Sequence, residues 1–243
     1  MLILDFDGVI ADAFTECAIV TYYADQDPEQ VALIPLEELA AGVPRGFLNR
    51  FGLVRKYARL LEDFMVARDP QAESITGIGD YEALLAHIPP KQLASLARGA
   101  TTVRAALRAA QGPEWRAMHT LYPGIRDLLE RHRGRGTSIV TAKDADSVRE
   151  ILEHHRLQAA VVEVIGECSD KRSAVLDLAA GDGIQPDAVT FIDDHITNAL
   201  AVRDTGARSL WAWWGYHTPD HIDRAIQRRQ RRVYLPELAT LTA

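Results

Sequence analysis

The chain has little sulfur, little lysine and no long apolar run. Its 243 residues include only two cysteines, Cys17 and Cys168, too few for a disulfide framework. Reduced thiols in a cytoplasmic protein are expected. No apolar segment approaches the ~20 residues that a bilayer span requires. The opening apolar stretch stops after Leu4 and runs straight into Asp5, so neither a membrane partner nor a secretory leader is expected. Positive charge is also short: 27 Lys and Arg stand against 34 Asp and Glu, a net charge of -7. Nucleic-acid phosphates would be repelled by such a surface, so no nucleic-acid partner is expected. The one basic cluster, "RRQRR" at Arg228 to Arg232, reads as a solvated helix face. Internal repeats and low-complexity tracts are absent.

What remains is an ordinary globular composition, 47% hydrophobic and 25% charged. The chain is long enough for a core plus a smaller second domain. From Ala13 to about Gln111 strand signal is nearly missing. Instead "RGFLNRFGLVRKYARLLEDFMVARD" repeats Phe47, Phe51, Val54, Leu61 and Met65 at three- and four-residue steps, a helical pattern up to Pro70. "DYEALLAHI" and "KQLASLARGATTVRAALRAAQ" follow as helices, the second stopping at Gly112-Pro113.

After Tyr122-Pro123-Gly124 the pattern changes. "TSIVT", "AVVEVI", "AVTFID" and "ARSLWAW" read as strands separated by helical stretches. That alternation marks a parallel sheet with crossover helices. The strands lack clean polar alternation, as expected where both sheet faces are covered. Leu2 to Leu4 joins this set as a further strand. The expected fold is therefore α/β, a Rossmann-like doubly wound parallel sheet from residues 1–13 and 114–243, with an α-helical domain, 14–113, inserted after the first strand.

Ligands of such sheets sit outside the carboxyl ends of the strands. The first strand delivers Asp5 and Asp7 there, and "SIVT" delivers Thr141. The loop after "VVEVIG" leads to Lys171, and "VTFIDD" delivers Asp193 and Asp194, with Asn198 a turn further on. Four carboxylates at one rim are untenable without a cation. An oxygen-only ligand set suits a hard ion, Mg2+ above all. Asp12 either caps the first inserted helix or lines the site.

These residues resemble the four motifs of the haloacid-dehalogenase-like superfamily of phosphohydrolases. They read "DFDGV" at 5–9, "SIVT" at 138–141, Lys171 in "SDKRS" and "FIDDHITN" at 191–198, in the family's order across the whole core. The resemblance implies a nucleophilic Asp5 that forms an aspartyl-phosphate and an Asp7 that serves as general acid and then base. It implies that Thr141 and Lys171 bind the transferred phosphoryl group. Mg2+ would be held by Asp5, Asp194, the backbone carbonyl of Asp7, and Asp193 directly or through a neighbour.

The insertion between the first two motifs is similar to that of members with a helical cap, the phosphoglycolate-phosphatase type among them. Gly112-Pro113 and the segment after Asp12 would be its hinges. An acid at position 7 separates the chain from the dehalogenases. The expected activity is hydrolysis of a small phosphorylated metabolite, with a phosphomutase, a phosphonatase or a non-catalytic phospho-ligand binder as alternatives. Arg45 and Lys56 of the insertion are candidate substrate contacts. The three tryptophans at the end of the last strand and just after it, Trp211, Trp213 and Trp214, are expected to pack rather than stack on substrate.

Overall fold

The computed structural model describes residues 1–242. Its strands are β1 (Leu2–Leu4), β2 (Ala11–Asp12), β3 (Thr120–Leu121), β4 (Thr137–Val140), β5 (Glu163–Ile165), β6 (Thr190–Asp193), β7 (Arg208–Ala212) and β8 (Arg232–Val233). Six of them form one sheet in the order β5-β4-β1-β6-β7-β8, and every pairing in it is parallel. From β1 the chain winds outward through β4 and β5. It then returns to β1's other side and winds outward again through β6, β7 and β8. The reversal lies between β1 and β6, the kind of switch point at whose carboxyl strand ends ligands of such sheets bind. Leu2, Ile3, Leu4, Phe191 and Ile192 are fully buried, which explains their unbroken apolar runs.

The chain divides into two compact units, Ala13–His119 and, as the other, Met1–Asp12 together with the chain from Thr120 onward. The first carries α1 (Phe14–Tyr22), α2 (Pro28–Ala32), α3 (Leu36–Gly42), α4 (Arg45–Val54), α5 (Ile78–His87), α6 (Pro90–Ala110) and α7 (Gly112–Ala117). The α/β unit carries α8 (Ile125–Arg131), α9 (Ala145–His154), α10 (Lys171–Gly181), α11 (Ile196–Arg203) and α12 (Pro219–Gln227). Both crossings between the units lie beside β2 and β3, which pair antiparallel as Ala11 with Leu121 and Asp12 with Thr120.

Three local expectations need correction. Gly112-Pro113 begins α7 instead of marking a hinge, because proline costs nothing in a helix's first turn. Trp115 and His119 behind it are fully buried in the helical unit, their rings 4.8 Å apart, so the boundary falls at 119 rather than 113. The long helical run from Arg45 breaks after Val54. There the Asp63 carboxylate accepts from the backbone N–H groups of Arg59 and Leu60, at 2.9 and 3.0 Å, and offers the backbone an alternative to helix. Finally, "RRQRR" is no helix face. Arg228 ends α12, Arg229 is left-handed at φ 52°, and buried Gln230 donates to the Ser209 carbonyl before β8 begins.

The helical unit has its own core. Phe51 meets Phe14, Phe47 and Phe64 at centroid distances of 5.3, 6.0 and 4.9 Å, as the four-residue step from Phe47 to Phe51 requires. Beside it lies a buried ion pair. Arg104 of α6 donates to both carboxylate oxygens of Glu16 on α1, at 2.6 and 3.1 Å, fixing the register of the two helices. No helix among the described residues is long and apolar enough to cross a membrane.

Candidate active site

Asp5 stands one residue past β1, and its N–H donates to the Ile192 carbonyl of β6. Continued sheet pairing therefore sets it level with Asp193, the last residue of β6. Carboxylate oxygens of Asp5, Asp193 and Asp194 lie within 4.8 Å of one another, and all three residues are buried. Lys171, the first residue of α10, brings its ammonium between two of them. Nζ is 2.6 Å from Asp5 Oδ2 and 2.8 Å from Asp193 Oδ2.

Burial raises the Asp5 carboxyl to about 6; Lys171 opposes the shift and Asp193 adds to it. For Lys171, burial works against the charge, yet the attraction of Asp193 and Asp5 outweighs it and holds the ammonium above the ordinary lysine value. One buried ammonium among three buried carboxylates leaves an excess of negative charge. The same oxygens are near enough to share one small hard cation, so the residues present fit Mg2+.

The acids differ in how they are held. Asp193 accepts from Lys171, from the His195 N–H at 2.7 Å and from Asn198 Nδ2 at 3.2 Å. So fixed, it serves to hold Lys171. Asp194 Oδ2 accepts from the Tyr216 N–H at 2.9 Å, and the Trp211 indole donates to the Asp194 carbonyl at 2.6 Å. A Cβ on Gly8 or Gly215 would collide with the Asp194 side chain, so both glycines are needed for this close approach. Gly8 also has φ 89°, the left-handed conformation glycine favours.

Asp7 lies outside the three-carboxylate group. It is the most exposed of the four acids, and its Oδ2 faces Lys143 Nζ at 3.4 Å. Thr141 follows β4; its N–H donates to the Ile165 carbonyl and its hydroxyl accepts from the Lys143 N–H at 3.2 Å.

The N-cap position of α1 is Ala13, not Asp12, and Asp12 Oδ1 accepts from the Tyr216 hydroxyl at 2.7 Å. Arg45 and Lys56 belong to the helical unit, Arg45 exposed in the first turn of α4 and Lys56 half-buried in the turn after it. Neither is among the side chains that the α/β unit brings together.

Sequence reasoning missed Lys143, Gly215, Tyr216 and the support that Trp211 and Trp214 give. The two indoles pack as expected, but they also donate to backbone carbonyls of the site, Trp211 to Asp194 and Trp214 to Val9 at 3.1 Å. Lysine scarcity was a usable signal, because two of the four lysines stand at this rim.

No family model matches the chain. It is 29% identical over 101 residues to the phosphoglycolate phosphatase of Synechococcus elongatus, a match covering 40% of this chain and 48% of that protein. It is likewise 29% identical over 109 residues to the phosphoglycolate phosphatase of Aliivibrio fischeri, covering 42% and 48%. The chain thus spans about half the length of these relatives in matched sequence.

Solved structures are similar over nearly all of it. A predicted phosphoglycolate phosphatase from Haemophilus somnus superposes with a TM-score of 0.68 at 14% identity, covering 100% of this chain and 97% of that one. A haloacid dehalogenase-like family hydrolase from Streptococcus pneumoniae gives 0.61 at 15% identity, covering 98% and 96%. The chain thus shares the fold of these haloacid-dehalogenase-like structures over nearly its whole length.

Proposed function

We propose that the protein is a Mg2+-dependent phosphatase that hydrolyses a small phosphomonoester through an aspartyl-phosphate on Asp5. One observation carries this: a buried ammonium bridges Asp5 and Asp193, beside Asp194, with a second, more exposed acid two residues along the chain. The names of the two sequence relatives support a phosphoester of glycolate, or a close analogue, as substrate.

Each residue then has a task. Asp5 Oδ attacks phosphorus, forming a P–O bond as the bond to the leaving alcohol breaks. Lys171 holds Asp5 in place through that step and spreads the phosphoryl charge. Asp7 gives its proton to the leaving oxygen, then takes one from the water that splits the Asp5–phosphoryl bond. Its greater exposure suits a group that must exchange protons. Thr141 offers a hydroxyl to the phosphoryl oxygens. Asp193 keeps Lys171 aimed, and Asn198 and the His195 N–H keep Asp193 aimed. Bound Mg2+ supplies positive charge that lessens the repulsion between the Asp5 carboxylate and the phosphoryl oxygens.

A panel of p-nitrophenyl phosphate, phosphoglycolate, sugar phosphates, nucleotides and phosphonates, assayed with Mg2+, tests this. Phosphate release should depend on Mg2+ and fall at least ~10^3-fold in Asp5→Asn, a loss in keeping with removal of an enzyme's nucleophile. Release from no phosphomonoester, or release that Asp5→Asn leaves intact, rejects the proposal. Binding without turnover across the panel identifies a non-catalytic binder instead.

A further inference from the structure

Resting on that function, we propose that Lys143 contacts the substrate and selects phosphomonoesters whose leaving alcohol carries a negative charge, a carboxylate near the bridging oxygen. Lys143 sits two residues beyond Thr141, and its side chain is 1% exposed. Burying an ammonium is costly, and long lysine side chains ordinarily keep the charged end in water. The fold nevertheless holds this one in place with a built turn. The Lys143 N–H donates to the Thr141 hydroxyl, and the Lys143 carbonyl accepts from the Glu167 N–H at 3.0 Å.

Glu167 makes that bond from a left-handed φ of 52°, a strained conformation for a residue with a side chain. Cys168 N–H donates to the Thr141 carbonyl at 2.9 Å. Gly166 packs so closely on this turn that an added Cβ would meet the Ala145 nitrogen and the Lys143 carbonyl oxygen. The loop after β5 is thus shaped around the Thr141–Lys143 turn.

The two site lysines divide the rim between them. Lys171 makes tight contacts, 2.6 and 2.8 Å, with the acids at the phosphoryl and cation end. Lys143 stands instead beside Asp7, the acid that must touch the leaving oxygen. Its 3.4 Å contact is longer than the ~2.7–2.9 Å of a full charge-assisted hydrogen bond. An ammonium has three donors, so Asp7 and a substrate carboxylate can share it with its other partners. A leaving oxygen within hydrogen-bond reach of Asp7 puts the substituent on the next carbon within reach of Lys143. A carboxylate there would find a buried, already desolvated cation, where a charged hydrogen bond counts most.

The experiment compares phosphoglycolate with 2-hydroxyethyl phosphate, which replaces the carboxylate by a neutral hydroxymethyl group. The quantity read is the ratio of kcat/KM for the two esters, which does not depend on how much of a preparation is folded. The wild type should favour phosphoglycolate, and Lys143→Gln should lower the ratio on the order of ten- to a hundredfold, while Lys143→Arg keeps most of it. A wild type without that preference overturns the proposal. So does a Lys143→Gln ratio within about twofold of wild type, even if both rates fall, since that leaves Lys143 only positioning Asp7.

Calorimetric binding of both esters to Asp5→Asn, with and without Lys143→Gln, reads the same preference without turnover. Failure of the phosphatase reading, no hydrolysis of any ester, is therefore distinguishable from failure of this one.

Discussion

A carboxylate, an ammonium and a glycine at this rim were not equally legible. Asp5, Lys171 and Asp194 could be read because each ends a strand or opens a helix, where a charge after an apolar run is conspicuous. Lys143 and Tyr216 were not legible, because a lysine or tyrosine in a loop carries no period. Their positions depend on the path of loops that only the fold defines. Gly215 is the sharpest case, since nothing in "WWGYH" says that a side chain there would meet Asp194 and the Gly8 carbonyl. Its Cβ could be accommodated only by moving backbone or Asp194 itself. Gly215→Ala should therefore weaken Mg2+ activation, raising the half-maximal Mg2+ concentration roughly 10- to 100-fold, the usual range for disturbed support of a metal ligand. Titrating activity against Mg2+ in the variant checks this, and an unchanged midpoint would show that Asp194 is not held by this contact.

Whole elements were legible where their pattern ran for four or more residues. The chief strands and the helices α8 to α11 follow from their apolar patterning, and their order alone implied parallel pairing. The two-residue strands β2, β3 and β8 carry too little pattern to register. The break after Val54 was also hidden, because it depends on the Asp63 side chain capturing backbone groups from an element that the periodicity treated as continuous helix.

The N-terminal turn of α12 gives an element-scale prediction. His221 is buried there, its ring 5.4 Å from that of His195. Burial lowers its pKa from 6.5 to about 4; Asp220 opposes the shift, while His217 and Arg224 add to it. Between about 4 and 6.5 the unfolded chain therefore binds this proton more readily than the folded one, so stability rises with pH across that window and is lost as pH falls through it. Melting temperature followed from pH 4 to 7 should climb less steeply in His221→Gln than in wild type. Parallel curves would mean that His221 titrates alike in both states.

Considered as a whole molecule, the α/β unit holds every acid and lysine of the proposed chemistry: Asp5, Asp7, Lys143, Lys171, Asp193 and Asp194 all lie within it. The order of the motifs along the sequence made that arrangement legible, because each sits at the carboxyl end of a strand of one sheet. The crossing points of the insertion were less so, since Gly112-Pro113 looks the same whether it ends one helix or begins the next.

Because the clustered acids belong to one unit, Mg2+ should stabilise that unit by linkage. At a concentration a hundred times the dissociation constant, binding adds about 2.7 kcal/mol, or roughly 5–10 °C in Tm for a chain of this size. Calorimetric melts with Mg2+ and with EDTA should show that shift, and Asp194→Asn should abolish it. Where two transitions are resolved, only that of the α/β unit should move. A wild type indifferent to Mg2+, or an Asp194→Asn that shifts equally, would mean that the buried acids are kept compatible by Lys171 alone, and that no cation belongs among them.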